Sequence, residues 1–289
     1  MKLQANGISI EYELAGPPDG PPLVMITGLG SQLTHWSEDL IAGFAAAGYR
    51  VITFDNRDVG LTSRVPGPGP HPTPDEIRAR LKAGEEVVAP YGLPDMADDV
   101  AALITGLGYD RAHVFGISMG GMVTQQLMIA HPDRLLSATV VMSSAEPSRI
   151  ANADRLILDR VGREDYIAEA VAGFTDWGSP GFPAPDSYFR DKAARAWDRG
   201  HDADGVNRQL LAVVRSPDRR ERLRRVNLPV LIIHGADDTL IGPEHGRALA
   251  ALIPGAELEI IEGMGHTIPP LLAPVIVARM RRFLAGYRR

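Results

Sequence analysis

The chain has 289 residues, 45% of them hydrophobic and 23% charged, which is an ordinary globular composition. Its formal net charge of −6 excludes a general attraction to nucleic acid or to an anionic membrane, and the absence of cysteine excludes disulfides, thiolate catalysis and cysteine-bound metals. The N-terminus has no apolar signal-peptide core and no apolar run is long enough to cross a membrane, so we expect a cytoplasmic protein. Lysine occurs only at Lys2, Lys82 and Lys192, which we attribute to codon usage.

Most of the chain alternates strand-like and helix-like segments. LQANGISIEYELAG predicts a β-hairpin, because Asn6-Gly7 can adopt the positive φ of a tight turn. Continuous apolar runs predict buried parallel strands at PLVMITG, YRVITFDNRD, AHVFGIS and LLSATVVMSS, with helical patterns between and after them. The alternation resumes at Leu228 with PVLIIHGADD and ELEIIEG, each followed by a helical pattern. Strands that alternate with helices predict a mostly parallel sheet covered on both faces.

Two stretches interrupt this alternation. Residues 62–94 contain VPGPGPHPTP and a short helical pattern, and we expect part of this stretch to pack loosely and act as a gate. Residues 146–227 contain no buried-strand pattern and are rich in aromatic residues at helical spacing. We therefore predict an α/β core of residues 1–145 and 228–289, and a helical insertion of residues 146–227 that caps the carboxyl edge of the sheet.

The stretch HVFGISMGGMVTQQ places a serine between two glycines where a predicted strand meets a predicted helix. Gly116-Ile117-Ser118-Met119-Gly120 fits G-x-S-x-G, the known signature of a nucleophile elbow. Such a turn holds the hydroxyl away from the backbone, and the helix that follows directs its N–H groups and positive end at a developing oxyanion. Ser118 is therefore the candidate nucleophile, and the alternative is a serine that only occupies a turn.

A serine nucleophile needs a base, and the base needs an orienting carboxylate. Among the eight histidines we select His266, because EGMGHTIPP is a glycine-rich loop that follows a strand, at the edge where open α/β sheets place their sites. HGADD follows another strand and offers Asp237 or Asp238. If neither serves, Glu146 after LLSATVVMSS is the next candidate acid. The order serine, aspartate, histidine agrees with the chain order known for this elbow.

The motifs GISMGG, HGADDTLIGP and GMGHTIP resemble the α/β-hydrolase superfamily over nearly the whole chain. The resemblance implies an α/β-hydrolase fold with an inserted helical cap. It selects Asp238, three residues after Gly235, as the acid. Together with DNRDVG, the motifs are most similar to the cofactor-free esterase branch that includes aclacinomycin methylesterase and is close to cofactor-free perhydrolases.

The segment ITGLGSQLTHW occupies the position of the family's oxyanion loop. The resemblance implies that the backbone N–H groups of Leu29 and Met119 bind the oxyanion. Two residues depart from the family pattern: Thr27 stands where histidine is usual, and Asp58 stands where glycine is usual. Candidate pocket residues near this loop are Gly28, His35 and Trp36.

These observations predict a serine carboxylester hydrolase that acts on a fairly apolar small-molecule ester and needs neither cofactor nor metal. A serine C–C bond hydrolase, a cofactor-free perhydrolase and a catalytically silent ligand-binding protein of the same fold are the alternatives. A dinucleotide site would use Gly28-x-Gly30 and Asp55, but Leu33 replaces its third glycine. No metal-ligand motif and no basic-aromatic stripe for nucleic acid is present, and nothing in the sequence specifies an oligomeric state.

Overall fold

One mixed sheet organises the residues that the computed structural model describes, which are 1–67, 72–146 and 156–287. Within them the strands are β1 (Lys2–Ala5), β2 (Ile8–Ala15), β3 (Pro22–Ile26), β4 (Arg50–Phe54), β5 (Ala112–Ile117), β6 (Leu135–Val141), β7 (Val230–Gly235) and β8 (Glu257–Ile261). Their order in the sheet is β1-β2-β4-β3-β5-β6-β7-β8. β2 pairs antiparallel with β1 and with β4, and all other neighbours are parallel.

Helices cover both faces of this sheet. They are α1 (Glu38–Ala46), α2 (Pro74–Ala83), α3 (Leu93–Gly106), α4 (Met119–Ala130), α5 (Arg163–Asp176), α6 (Asp186–Asp198), α7 (Ala203–Val214), α8 (Arg220–Leu223), α9 (Pro243–Leu252) and α10 (Ala273–Leu284). One apolar layer joins the sheet to α3, α4 and α9, and a second joins its other face to α1 and α10. The predicted mostly parallel sheet with flanking helices is confirmed. None of these helices has the length and hydrophobicity to cross a membrane in the part of the chain that is described.

Local sequence accounts for several of these elements. Asn6 and Gly7 have φ values of 47° and 75°, the left-handed turn that joins β1 to β2. Ser37 caps α1 by accepting a hydrogen bond from the backbone N–H of Leu40 at 3.2 Å. Every residue of β3, β5 and β7 is buried, because helices cover both faces of these central strands. Strands in that position require continuous apolar runs rather than an alternating pattern.

Three loops at the carboxyl edge of the sheet carry the predicted triad. Ser118 follows β5 directly, Asp238 lies just beyond β7, and His266 lies in the loop after β8. β5 and β8 are separated in the sheet by β6 and β7. The loops after β7 and β8 must therefore extend along the edge of the sheet to bring Asp238 and His266 to the serine.

The described part of the insertion lies between β6 and β7 and forms α5, α6, α7 and α8 without a strand. Buried ion pairs fix it to the core. Arg208 of α7 donates two hydrogen bonds of 2.8 Å to the carboxylate of Asp58, and Tyr91 donates a third at 2.6 Å. Asp58 has a φ of 72°, a conformation that favours glycine. We attribute the presence of aspartate at this position to the bidentate ion pair that its carboxylate forms with Arg208.

The segment of residues 62–94 is better packed than its composition predicts. Thr73 forms a capping box at the start of α2. Ile77 of α2 is buried in an apolar cluster with Leu210 and Leu211 of α7. The helix is therefore part of the packed body, and a gate would be confined to the proline-rich part, of which residues 68–71 lie outside the described residues.

Candidate active site

Ser118 occupies a strained turn between β5 and α4. Its φ of 53° and ψ of −119° are a conformation that a residue with a side chain adopts rarely, at a cost of about 1–3 kcal/mol. The backbone N–H of Ser118 donates to the carbonyl of Val141 at 3.0 Å, which ties the turn to β6. Ser118 is half-buried while the residues on either side of it are buried, so the turn exposes this one side chain.

The glycines of the elbow allow three pieces of backbone to approach each other closely. A Cβ atom at Gly116 would lie 2.2 Å from Thr124 Oγ1, and one at Gly120 would lie 2.2 Å from the carbonyl oxygen of Ile26. Neither distance is sterically possible without movement of α4 or β3. The G-x-S-x-G pattern therefore reflects the packing of the helix against two strands as well as the turn.

The structure brings the three predicted catalytic side chains into one hydrogen-bonded line. His266 Nε2 lies 2.9 Å from Ser118 Oγ, and His266 Nδ1 lies 2.7 Å from Asp238 Oδ2. The backbone N–H of His266 donates at 2.7 Å to the carbonyl of Trp177, a residue of the insertion. The insertion therefore helps to hold the histidine in register with the serine.

Asp238 is placed to remain ionised. Burial opposes its charge, but the neighbouring imidazoles of His234 and His266 and the backbone N–H of Ile241 outweigh burial and hold the pKa of Asp238 well below its usual value. Its Oδ1 accepts hydrogen bonds from the N–H groups of Leu240 and Ile241 at 3.0 and 2.9 Å, which leaves Oδ2 for His266. A carboxylate that stays charged stabilises an imidazolium.

Asp237 points elsewhere, although it is adjacent in the chain. Its side chain is exposed, and Oδ2 accepts a 2.8 Å hydrogen bond from the backbone N–H of Gly263. Its own N–H donates to the carbonyl of Met264 at 2.9 Å. Asp237 therefore joins the two loops that carry Asp238 and His266, without contact to the imidazole.

The loop after β3 runs directly beside the serine. A Cβ atom at Gly28 would lie 3.3 Å from Ser118 Cβ. The backbone N–H groups of Leu29 and Met119 donate to no acceptor among the described residues, so both are free to bind an oxyanion. The next N–H, that of Gly30, donates at 2.9 Å to Gln209 Oε1 of α7. A residue of the insertion thus supports this loop as well.

Thr27 supports the same loop in place of the histidine that is usual in the family. Its hydroxyl donates to the carbonyl of Ser31 at 2.9 Å and accepts from Asn56 Nδ2 at 3.2 Å. These two bonds close the loop on itself and attach it to the end of β4. The departure at position 27 therefore leaves the backbone donors supported.

This geometry agrees with comparisons with known proteins. A family model described as the alpha/beta hydrolase fold matches residues 21–270. The chain belongs to the α/β-hydrolase fold family. Rhodomycin D methylesterase DauP of Streptomyces sp. (strain C5) is 28% identical to this hydrolase in an alignment of 289 positions that covers 91% of this chain and 90% of DauP. The 3-oxoadipate enol-lactonase 2 of Acinetobacter baylyi is 28% identical over 260 residues, 90% of this chain and 87% of that protein.

Solved structures give the same fold. The enol-lactonase of Burkholderia xenovorans LB400 superposes on this hydrolase with a TM-score of 0.78 at 22% identity, covering 99% of this chain and 100% of the other. A hydrolase of Pseudomonas aeruginosa PA01 has a TM-score of 0.76 at 26% identity, covering 98% and 97%. The resemblance to the esterase branch of the superfamily that the motifs predict is confirmed.

A small cavity of the hydrolase adjoins His266. It has a volume of about 40 Å³, and His266 forms part of its wall. The predicted pocket residues His35 and Trp36 both line it, whereas Gly28 lies beside Ser118 instead. Aromatic side chains of the insertion complete the wall, namely Phe174, Tyr188 and Phe189.

Lys192 of α6 also lines this cavity, and it does not stand out in the sequence. Its side chain is 8% exposed, and no carboxylate among the described residues forms an ion pair with it. The ammonium group donates to the carbonyl of His35 and lies 3.4 Å from the hydroxyl of Tyr188. Burial, with a smaller contribution from the charge of Arg195, lowers the pKa of Lys192 from 10.5 to about 7. The sequence offered one signal that could have identified Lys192: it is one of only three lysines and lies in an aromatic-rich helix.

Replacing Lys192 with methionine is expected to raise the melting temperature, and to raise it more at acidic than at alkaline pH. The unfolded chain keeps the ordinary lysine pKa, so below pH 7 the folded wild type must hold a charge that burial disfavours. Between about pH 7 and pH 10 the unfolded state binds more protons, and wild-type stability recovers as the pH rises. Thermal unfolding of both proteins at pH about 6 and about 9 measures this difference. An equal difference at both pH values would contradict the lowered pKa.

The remaining described histidines of the hydrolase have structural contacts. His113, His131, His234 and His245 lie within hydrogen-bond distance of Ser137, Asp98, the carbonyl of Ile241 and Ser144 respectively. His201 stacks with Trp197, and His71 lies outside the described residues. In the described ranges no group of three or more histidine, aspartate or glutamate side chains is arranged to hold a metal ion.

Proposed function

We propose that this hydrolase is a serine carboxylester hydrolase with Ser118 as nucleophile, His266 as base and Asp238 as orienting acid. One observation carries the proposal, the line of contacts from Ser118 Oγ to His266 Nε2 at 2.9 Å and from His266 Nδ1 to Asp238 at 2.7 Å. The free backbone donors beside the serine and the esterases among the relatives support it. These groups supply a complete route for ester hydrolysis without a cofactor.

The reaction proceeds in two halves. Ser118 Oγ bonds to the ester carbonyl carbon while its proton passes to His266 Nε2, and the N–H groups of Leu29 and Met119 bind the resulting oxyanion. Collapse of this intermediate breaks the bond to the alcohol, which leaves with the proton from His266. Water then attacks the acyl-enzyme, gives a proton to His266, and the second collapse releases the acid and restores the serine. Asp238 accepts the Nδ1–H bond throughout and stabilises the imidazolium.

We further propose that residues 146–227 form a cap over this site. Trp177 holds the backbone of His266, and Gln209 holds the oxyanion loop. Three of the aromatic residues that line the cavity come from α5 and α6 of the same insertion, namely Phe174, Tyr188 and Phe189. The cap therefore supports the catalytic loops and encloses the substrate, which we expect to be a small-molecule ester with an apolar portion.

A panel of p-nitrophenyl esters of graded acyl length tests the proposed reaction, run beside a diketone C–C substrate and a monochlorodimedone halogenation assay. We expect a burst of p-nitrophenol followed by steady turnover, because an acyl-enzyme forms before water clears it. Faster turnover of the diketone would favour a C–C hydrolase, and faster halogenation would favour a perhydrolase. Ligand retention without turnover of any substrate would contradict an enzymatic function.

A further inference from the structure

Lys192 presents a chemical problem that the proposed ester hydrolysis does not use. A buried ammonium group is unfavourable unless it is paired, and no acidic side chain among the described residues forms an ion pair with Lys192. In the described part of the chain its hydrogen bonds go to the neutral oxygens of His35 and Tyr188, and the ammonium group lies 5.1 Å from the centroid of the Tyr188 ring. One of its three donors has no hydrogen-bond acceptor there. The charge of Arg195, which contributes to lowering the pKa of Lys192, has the same sign.

Trp36, another residue that lines this cavity, also has a donor that is unpaired among the described residues, but that donor is closed off from the cavity space. The indole Nε1 of Trp36 is buried and has no hydrogen-bond partner within the described part of the chain. An ammonium group without a counter-ion in the wall of a cavity favours an occupant with acceptor oxygens.

The size of the cavity limits what the occupant can be. One water needs about 10–15 Å³ on this measure, so about 40 Å³ accommodates roughly three water-sized groups. A carboxylate has three heavy atoms and fits that space, whereas a long acyl chain does not. Since His266 and Lys192 line the same cavity, a group held there would lie next to the proposed site of ester cleavage.

We infer that Lys192 binds a second, free carboxylate of the substrate, so that the hydrolase acts on monoesters of dicarboxylic acids. This inference rests on the proposed function and narrows its substrate class. An incoming carboxylate supplies the missing counter-ion of the ammonium group and accepts its remaining donor. The apolar portion of the substrate then spans the distance between the lysine and the ester at Ser118.

The inference is tested with matched pairs of methyl monoesters. In each pair the end of the molecule far from the ester is a carboxylate in one compound and the neutral amide in the other. Both are compared at graded chain length and neutral pH. In the wild type we expect kcat/KM for the acid to exceed that for the amide by about 10–100-fold at the best length, the effect of a charge-assisted bond. Lys192→Met and Lys192→Gln should each lose most of this ratio. Glutamine at position 192 keeps a hydrogen-bond donor but has no charge, so this variant distinguishes the effect of the charge from the effect of the hydrogen bond.

Lys2→Met is the matched control, because it removes an exposed lysine of β1 and should keep the wild-type ratio. A wild-type ratio near one at every length would overturn the inference, and so would an unchanged ratio in both Lys192 variants. Turnover of p-nitrophenyl acetate by the wild type is measured in parallel. If that ester is cleaved and the ratio of kcat/KM for the acid to that for the amide is near one at every chain length, the carboxylate site is wrong and the proposed function stands. If no ester is cleaved, both are wrong.

Discussion

Ser118→Ala is expected to lower kcat for ester hydrolysis by about 10⁴–10⁶ while the protein remains folded, because members of a triad act as a unit. Within the described ranges the hydroxyl makes a single side-chain hydrogen bond, with His266 Nε2 at 2.9 Å, so its removal leaves no further described side chain unpaired. Alanine has the same backbone restrictions as serine at φ 53°, and the strained turn is unchanged. Steady-state kinetics with p-nitrophenyl esters and thermal unfolding measure the two expectations.

Ser137→Ala provides a matched control. Ser137 is buried on β6, and its Oγ lies 2.8 Å from His113 Nδ1, a distance similar to that at the site. The other ring nitrogen of His113 has no partner in the described residues, so this pair lacks an acid. The control should retain wild-type kcat. An organophosphonate should label the wild type at Ser118, and retained turnover in Ser118→Ala or a label elsewhere would disprove its role.

Asp238→Asn is expected to lower kcat by about 10²–10⁴, because an amide can support the wrong tautomer of His266. In the wild type Oδ2 accepts from Nδ1, which leaves Nε2 as the base that faces the serine. The asparagine oxygen can still accept the N–H bonds of Leu240 and Ile241, so the loop should remain folded. The kinetic assay measures the loss, and circular dichroism verifies the fold.

Asp237→Asn is the control at the neighbouring position. Its carboxylate is exposed and accepts from the N–H of Gly263, a bond that an amide oxygen preserves. We expect at most about a tenfold loss, through small movements of the loop. If Asp237→Asn is the inactive variant, the acid is Asp237 and the assignment is reversed. If both variants remain active, the acid comes from another strand end, and Glu146 is the residue to replace next.

Much of the fold could be predicted from the sequence because it depends on local rules. Central parallel strands are buried on both faces, so continuous apolar runs such as those of β3 and β5 marked them. The candidate nucleophile could be predicted for a similar reason, because a nucleophile elbow requires glycines at fixed offsets around Ser118. His266 followed from its position after a strand. The choice between Asp237 and Asp238 needed the family resemblance, because both residues fit the loop chemistry equally well.

The sequence by itself thus determined the sheet, its flanking helices and the strand ends at which the predicted triad residues lie. Only the tertiary structure decided which distant side chains meet. The pairing of Asp58 with Arg208 and the support of the oxyanion loop by Gln209 join residues well over a hundred positions apart. The tertiary structure also decided that Lys192 is buried in the cavity beside His266, since these two residues are distant in the sequence. Periodicity predicts that the insertion is helical, but the face that each helix turns to the core is set by packing against the whole molecule, which no local pattern encodes.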